Sequence, residues 1–287
     1  YLLGVLPLLE GAGVQSLVAC ADIGKGIDFS AIRVPEIKRY GVKDLSRGYR
    51  AVRKIVGEFT PDLVHVHNVQ NVGAVRAALE LAPTVVTHHD FRYLCPSSTL
   101  FQRRSLTVCG RTCGPLCFVK AFTARCLTPR PGPAMGFYRR TSGMISNAER
   151  FSLSIVPSRA AGERLHRAGY PGENTRVNPY FCPMPPADKP RDLPSRATVT
   201  FIGRVNPTKG YQMLVEALGM MRGGIRGLIV GAGGQAQENI IRDLARRHNC
   251  EERIEVRHWL ARERVPELMD ETTVLVFPSL WPETLGI

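Results

Sequence analysis

A chain of 287 residues with 44% apolar content can bury two ordinary cores, because single cores stop growing near ~250–300 residues and domains cluster near ~100–150. Its 38 Lys and Arg against 25 Asp and Glu leave a net charge of +13, which suits an acidic partner such as a nucleotide, a nucleic acid or an anionic membrane surface. No apolar run approaches the ~18–20 residues of a membrane span, and the opening Tyr1-Leu2-Leu3-Gly4-Val5-Leu6-Pro7 lacks the basic start of a signal peptide, so the expectation is a soluble or peripherally attached protein.

Short apolar runs alternate with helix-length amphipathic segments from end to end. Strands are expected at 16–20, 63–67, 84–88, 154–156, 199–203, 227–230, 254–256 and 274–277, and helices at 44–58, 71–81, 159–168, 211–221, 237–248 and 264–269. This is the βαβ rhythm of doubly wound parallel sheets, which bind ligands outside the carboxyl ends of their strands. Two stretches break the rhythm. Residues 95–150 read as a long loop rich in Cys, Pro and Gly, and loops of that length in a compact domain are functional or mobile. The proline-rich run from Pro179 to Pro194 reads as a stiffened linker. The expected organisation is a first domain over 1–185, a linker over 186–196 and a second domain over 197–287. The chain starts with Tyr1 and stops at Leu285-Gly286-Ile287 directly after a strand-like run, and reads as a fragment cut at both ends.

Thr198-Val199-Thr200-Phe201-Ile202-Gly203-Arg204-Val205-Asn206-Pro207-Thr208-Lys209-Gly210 carries the sharpest signal. A strand ends in Gly-Arg, a short loop follows, and Lys-Gly opens a helix. Two cations and a helix N-terminus there suit a diphosphate, since helix amides favour anions and Arg and Lys neutralise them. Alone, the pair reads equally as an exposed Arg and Lys beside a turn. Downstream, Val230-Gly231-Ala232-Gly233-Gly234 runs a strand into glycines that let the backbone approach a ligand closely. Phe277-Pro278-Ser279-Leu280-Trp281-Pro282-Glu283-Thr284-Leu285-Gly286 then puts a carboxylate just past another strand. In the first half, His65-Val66-His67 and Thr87-His88-His89-Asp90 end successive strands. A His at a strand end can donate a hydrogen bond to a sugar hydroxyl. Alternate strand residues share a face, which also admits a metal among the four histidines, while a plain core histidine is the simpler reading of His65.

In this order the motifs resemble glycosyltransferase family 4 of the GT-B fold. The resemblance rests on Gly-Arg then Lys-Gly, on Pro-Ser, Pro-Glu and aromatic-Gly around Glu283, and on the His-x-His and Thr-x-His-Asp segments. It implies two Rossmann-like domains facing across a cleft, and a retaining hexosyltransferase of cell-envelope polysaccharide synthesis. The donor would be a nucleotide diphosphate sugar with no cofactor, and the acceptor a glycan or lipid-linked hydroxyl. By resemblance, Arg204 and Lys209 meet the diphosphate, Glu283 a donor-sugar hydroxyl, the amides of Leu285 and Gly286 the diphosphate, and His89 the donor's reactive end. Gly203, Gly231 and Gly233 line the nucleotide, and Asp90 lies next to the acceptor.

The eight cysteines of the chain are too few for a disulfide-built scaffold, but Cys95, Cys109, Cys113, Cys117 and Cys126 cluster directly after Asp90. Similar loops with scattered cysteines occur in polysaccharide-building members of the family. Structural zinc at Cys95, Cys109, Cys113 and Cys126 stays open beside free or redox-sensitive thiols, because the three-residue gaps are unlike the usual zinc-knuckle spacing. The chain departs from the family where Arg257-His258-Trp259-Leu260 replaces a Gly that often follows that strand. The first-domain glycine loop and a second Glu beyond Ile287 are absent, which predicts weak turnover for the 287-residue chain.

A cytoplasmic enzyme, with the inner face of an anionic membrane as a place of work, is what the resemblance and the charge imply. A sugar-nucleotide epimerase of the same fold and a non-catalytic nucleotide-binding module are the rival readings. A dinucleotide oxidoreductase is disfavoured because Gly231-Ala232-Gly233-Gly234 lacks a full G-x-G-x-x-G, and no aromatic-basic motif supports nucleic-acid binding.

Overall fold

The computed structural model describes residues 2–23, 29–180 and 192–285. Two compact units divide the chain, one comprising Tyr1–Ser105 and Cys109–Phe181, the other Leu106–Val108 and Cys182–Gly286. Of the expected linker over 186–196, residues 186–191 lie outside the described residues.

The first unit opens with helix α1 (Leu2–Gly11), the short strands β1 (Val18–Cys20) and β2 (Ala31–Arg33), and helix α2 (Val42–Phe59). Strand β3 (Val64–His67), helix α3 (Val72–Leu81) and strand β4 (Thr84–Thr87) form a parallel unit. Strand β5 (Phe101–Gln102) and, after the short excursion of the chain into the second unit at β6 (Thr107–Val108), helices α4 (Leu116–Thr123) and α5 (Pro131–Ile145) follow. Strand β7 (Leu153–Val156), helix α6 (Arg159–Arg167) and strand β8 (Thr175–Val177) complete it. The main sheet runs β3-β4-β7-β8, all parallel, and β1 pairs with β2 separately. Every residue of β4 is buried, as expected of a central strand covered on both faces.

Asn71 explains how the segment before α3 is held. Its side chain caps the helix by accepting from the Ala74 amide at 3.0 Å, and its amide nitrogen donates to the carbonyls of Glu36 and Asp44. All of this happens with Asn71 fully buried, so each polar atom needs a partner. Around it Val66, Val86, Phe91, Tyr93, Met144, Phe151 and Tyr170 form one apolar cluster. Aromatics of this size bury on the order of 150–250 Å² each and dominate such a core.

Residues 95–150 are not the long loop expected from their Pro and Gly content, because α4 and α5 occupy much of that stretch. The prolines misled for a physical reason. Pro131 and Pro133 sit in the first turn of α5, where a missing N–H costs nothing and the fixed φ favours helix entry.

The second unit contains strand β9 (Thr198–Ile202), helix α7 (Tyr211–Met220), strand β10 (Arg226–Ala232), helix α8 (Gln235–Arg247), strand β11 (Ile254–His258), helix α9 (Val265–Asp270) and strand β12 (Val274–Leu275). Its sheet order is β11-β10-β9-β12, again parallel. The chain therefore leaves β9 to one side for β10 and β11, then returns to the other side for β12. That reversal is a topological switch point, the place where open parallel sheets leave a crevice at their carboxyl ends. Phe201, Leu214, Val215, Leu218, Ile229 and Ile241 make the core beneath it.

Candidate functional site

The loop after β9 and the segment after β12 flank the switch point of the second unit. Asn206 shapes the first of them: its side chain accepts from the Thr208 amide at 3.0 Å and starts a short 3-10 turn over Pro207–Lys209. Gly210 then turns into α7 with φ +73°, a left-handed conformation that favours glycine. The Leu280 amide donates to the Thr208 carbonyl at 2.9 Å, so the two segments are latched backbone to backbone.

Across that latch, Lys209 Nζ lies 2.8 Å from Glu283 Oε1, with both side chains about four-fifths covered. The Ser279 hydroxyl donates to the same carboxylate oxygen, and the ammonium sits 5.4 Å from the Trp281 ring centroid. Burial pushes the Glu283 carboxyl up, but hydrogen bonds from Lys209 and Ser279 and the Lys209 charge outweigh it and hold the group below its ordinary value. Arg204 is exposed and makes no ion pair or side-chain hydrogen bond to a described residue. The structure thus joins Lys209 to Glu283, while Arg204 stands on the loop that begins at Gly203. Ser279 and Trp281 were not singled out from sequence, although both stand inside the Pro-Ser and Trp-Pro-Glu run.

The glycines behave differently from one another. Gly231 has φ +111°, and a Cβ there would stand 2.2 Å from the Gly203 carbonyl oxygen. Close approach of the chain leaving β9, whose Gly203 amide donates to the Val230 carbonyl at 3.0 Å, accounts for that glycine. The Gly233 amide donates to the Gln237 side chain at 2.6 Å. Leu285 is partly exposed, and Gly286 lies outside the described residues. Where the family often has a Gly, Arg257 forks onto Glu271 at 2.7 and 2.9 Å and onto Glu255 at 2.6 Å, an ion network at the sheet edge.

In the first unit, the strand ends carry a chain of imidazoles. His67 Nδ1 and His89 Nε2 are 2.9 Å apart, and His89 Nδ1 is 2.9 Å from the Tyr180 hydroxyl. One ring must donate and the other accept, so the pair shares a proton only when at least one imidazole is neutral. Burial lowers both, His67 to about 3. His88 is buried, points its Nε2 toward Ser154 at 3.4 Å, and is pushed down to about 3 by burial. His65 is not the core histidine expected: it is exposed on β3, because β3 is an edge strand of its sheet, and its Nε2 meets Thr87 Oγ1 at 2.7 Å.

Asp90 is held in a fork. Arg92 contacts both carboxylate oxygens through Nε and Nη2, at 2.6 to 3.0 Å, and the Arg92 amide donates to Oδ1 at 2.8 Å. Arg92 and Tyr180 were missed in sequence. Arg92 stands only two residues from Asp90, whereas Tyr180 lies at the start of the proline-rich run, with no periodic signal.

Directly after this comes the cysteine region. The thiols of Cys95, Cys109, Cys117 and Cys126 line a cavity of about 530 Å³, and every cysteine among the described residues is free. Cys113 and Cys117 are hydrogen-bonded to each other, which lowers Cys117 to about 6 and raises Cys113. Among the described residues no group of three or more His, Cys, Asp or Glu side chains is arranged to hold a metal ion, so the zinc reading finds no assembled ligand set there.

Residues 1–181 match the family described as Glycosyltransferase Family 4, and residues 188–287 match Glycosyl transferases group 1. The chain belongs to glycosyltransferase family 4. It is a glycosyltransferase, and its fold is GT-B, with a Rossmann-like parallel sheet in each unit. Among solved structures it is similar to Anabaena Alr3699/HepE in complex with UDP and glucose, at 18% identity and a TM-score of 0.61 over 99% of this chain and 72% of that one. A glycosyltransferase from Rickettsia africae ESF-5 gives 14% and 0.64 over 99% and 70%. The sucrose-phosphate synthase of Thermosynechococcus elongatus gives 17% and 0.62 over 99% and 71%. No curated protein matches the chain.

Proposed function

We propose that the protein transfers a hexosyl group from a nucleotide diphosphate sugar to a hydroxyl of a glycan or lipid-linked acceptor, with retention at the anomeric carbon, in cell-envelope polysaccharide synthesis. The observation that carries this reading is the Lys209–Glu283 pair at the switch point of the second sheet. A cation and a hydroxyl-binding carboxylate held side by side suit the two ends of one donor, its diphosphate and its sugar.

In this reading Arg204 and Lys209 bind the diphosphate and stabilise the charge that develops as it leaves, and Glu283 accepts from a sugar hydroxyl. Charges already waiting where negative charge grows need no reorganisation during the reaction. The backbone at Gly203, Gly231, Gly233, Leu285 and Gly286 lines the nucleotide. His89 faces the donor's reactive end as a neutral imidazole, oriented by His67 and Tyr180, and Asp90, clamped by Arg92, lies on the acceptor side. The acceptor oxygen forms its bond to the anomeric carbon as the carbon–phosphate oxygen bond breaks. The electron pair departs with the diphosphate, and the acceptor proton goes to a phosphate oxygen of the leaving group. No cofactor enters this scheme. The Anabaena neighbour's complex with UDP and glucose supports a nucleotide-sugar donor. The work is assigned to the cytoplasm, at the inner face of a membrane bearing the acceptor; no helix among the described residues is long and apolar enough to cross a membrane.

A donor screen of the chain with simple sugar acceptors, read by mass spectrometry and by the anomeric configuration of the product, tests this. Transfer with inversion, or epimerised free sugar without acceptor, would overturn it.

A further inference from the structure

From residue 91 to residue 148 the chain has no Asp or Glu and nine Lys or Arg. These 58 residues, one-fifth of the chain, hold most of the net charge of +13. Two of the nine are spent internally, Arg92 on Asp90 and Arg140 in the core, where it is 3% exposed. The other seven form no ion pair with a described residue, and so large an unneutralised surplus repels itself unless an anionic partner screens it.

Helix α4 stands in the middle of this stretch and is apolar on both sides. Its inward side packs: Ala121 is 1% exposed, and Phe118 meets Tyr138 of α5 edge-on with ring centroids 5.8 Å apart. Its outward side presents Leu116, Val119 and Phe122, which are 57%, 56% and 46% exposed at i, i+3 and i+6, one face of a helix. Exposed apolar residues scattered singly need no explanation, but a contiguous face rimmed by polar groups marks an interaction site.

The rim here is cationic. Lys120 is on the helix, Arg111 precedes it and Arg125 follows it. The Arg104 amide donates to the Ala124 carbonyl at 3.2 Å, which brings Arg104 against the end of α4. An apolar face in a basic rim is the pattern that inserts shallowly into a bilayer while its cations meet anionic headgroups. Nucleic acid would use the charge, but of the three exposed residues only Phe122 offers a ring on which a base can stack, and Leu116 and Val119 would stay uncovered.

We propose that the outward face of α4, with Arg104, Arg111, Lys120 and Arg125, docks the protein onto a bilayer containing anionic phospholipid. The proposal deepens the reading of a lipid-linked acceptor and rests on it, since the docked segment follows directly on the acceptor-side Asp90.

Vesicle flotation of the full chain tests it, using phosphatidylcholine vesicles with and without phosphatidylglycerol. The expected result is binding that requires phosphatidylglycerol and weakens as added salt screens the headgroups. The Arg104→Gln/Arg125→Gln double variant should bind about 25-fold more weakly, at roughly fivefold per cation. Val119→Glu/Phe122→Glu should lose binding while its circular dichroism and its transfer to a soluble acceptor stay those of the unmodified protein. Equal flotation of this variant and the unmodified chain would overturn the proposal. So would failure of the unmodified chain to float with phosphatidylglycerol vesicles, including the case in which it retains a short single-stranded RNA instead. Soluble-acceptor transfer is measured independently, so loss of the docking surface and loss of the transferase reading give different results.

Discussion

Gly210 lies so close beneath the carbonyl of Pro278 that a Cβ at residue 210 would stand 1.9 Å from that oxygen. The contact joins the Lys-Gly turn after β9 to the Pro-Ser segment after β12, and with the Leu280–Thr208 hydrogen bond it sets the distance between Lys209 and Glu283. A Gly210→Ala substitution combines this clash with a left-handed φ and should cost about 2–4 kcal/mol. Gly57→Ala, inside α2 with nothing within 4 Å of the new methyl group, should be neutral or stabilise by about 0.5–1 kcal/mol. Denaturant midpoints of the two variants check the contrast.

Lys209 and Glu283 hold one another, and Ser279 holds the same carboxylate, so removing either changes more than one contact. Lys209→Ala should lower kcat by about 10²-fold or more and allow the Glu283 carboxyl to rise, since the lysine's hydrogen bond and charge act with Ser279 to outweigh burial. Glu283→Gln should slow transfer while preserving the fold, seen as unchanged circular dichroism. Arg204→Ala, exposed and without a described partner, should leave the melting temperature within about 1 °C, in line with a surface effect below ~0.5 kcal/mol, yet reduce kcat as Lys209→Ala does. Steady-state kinetics with unaltered turnover for Arg204→Ala and Lys209→Ala would remove both from the proposed diphosphate site.

The buried histidines make stability depend on pH in a defined direction. Unfolded histidine takes up a proton near 6.5, whereas burial holds His67 and His88 near 3 in the folded chain. Between those values the unfolded state binds more protons, so their contribution is complete above about 6.5 and is lost progressively as the pH falls toward 3. Thermal midpoints should therefore be level in this respect from pH 7 to 8 and fall on acidification. His88→Phe should flatten part of that fall; an unchanged slope would mean that His88 is protonated in the folded state.

The described cysteines should differ in reactivity although each of them is a free thiol. Cys117 accepts a hydrogen bond from Cys113, sits near the Arg111 charge and is held to about 6, while burial pushes Cys126 up to about 11. The thiolate is the nucleophile, so limiting iodoacetamide near pH 7 should label Cys117 first and Cys126 late. Peptide mass spectrometry reads the order. Cys113→Ala should slow labelling of Cys117, because the donor that stabilises its thiolate is gone.

The alternation of apolar runs and amphipathic helices was enough to anticipate parallel sheets in both halves, because a strand covered on both faces and the helix that covers it each leave a local signature. The same holds for Gly203-Arg204, Lys209-Gly210 and Pro282-Glu283, whose spacing from strand ends is local. Helix α5 was hidden by prolines whose placement in its first turn is visible only once the helix is known, and α4 by the Pro115 that stands at its N-cap. The His67–His89–Tyr180 chain, the arginine fork on Asp90 and the contact of Lys209 with a carboxylate 74 residues away depend on which strands are neighbours. Strand order is decided by the burial of whole helix and sheet faces against one another, and no segment of sequence contains that sum by itself. Thus sequence alone determined the fold class and the residue types at the strand ends. Tertiary structure decided which of those ends meet, because β12 returns to pair beside β9.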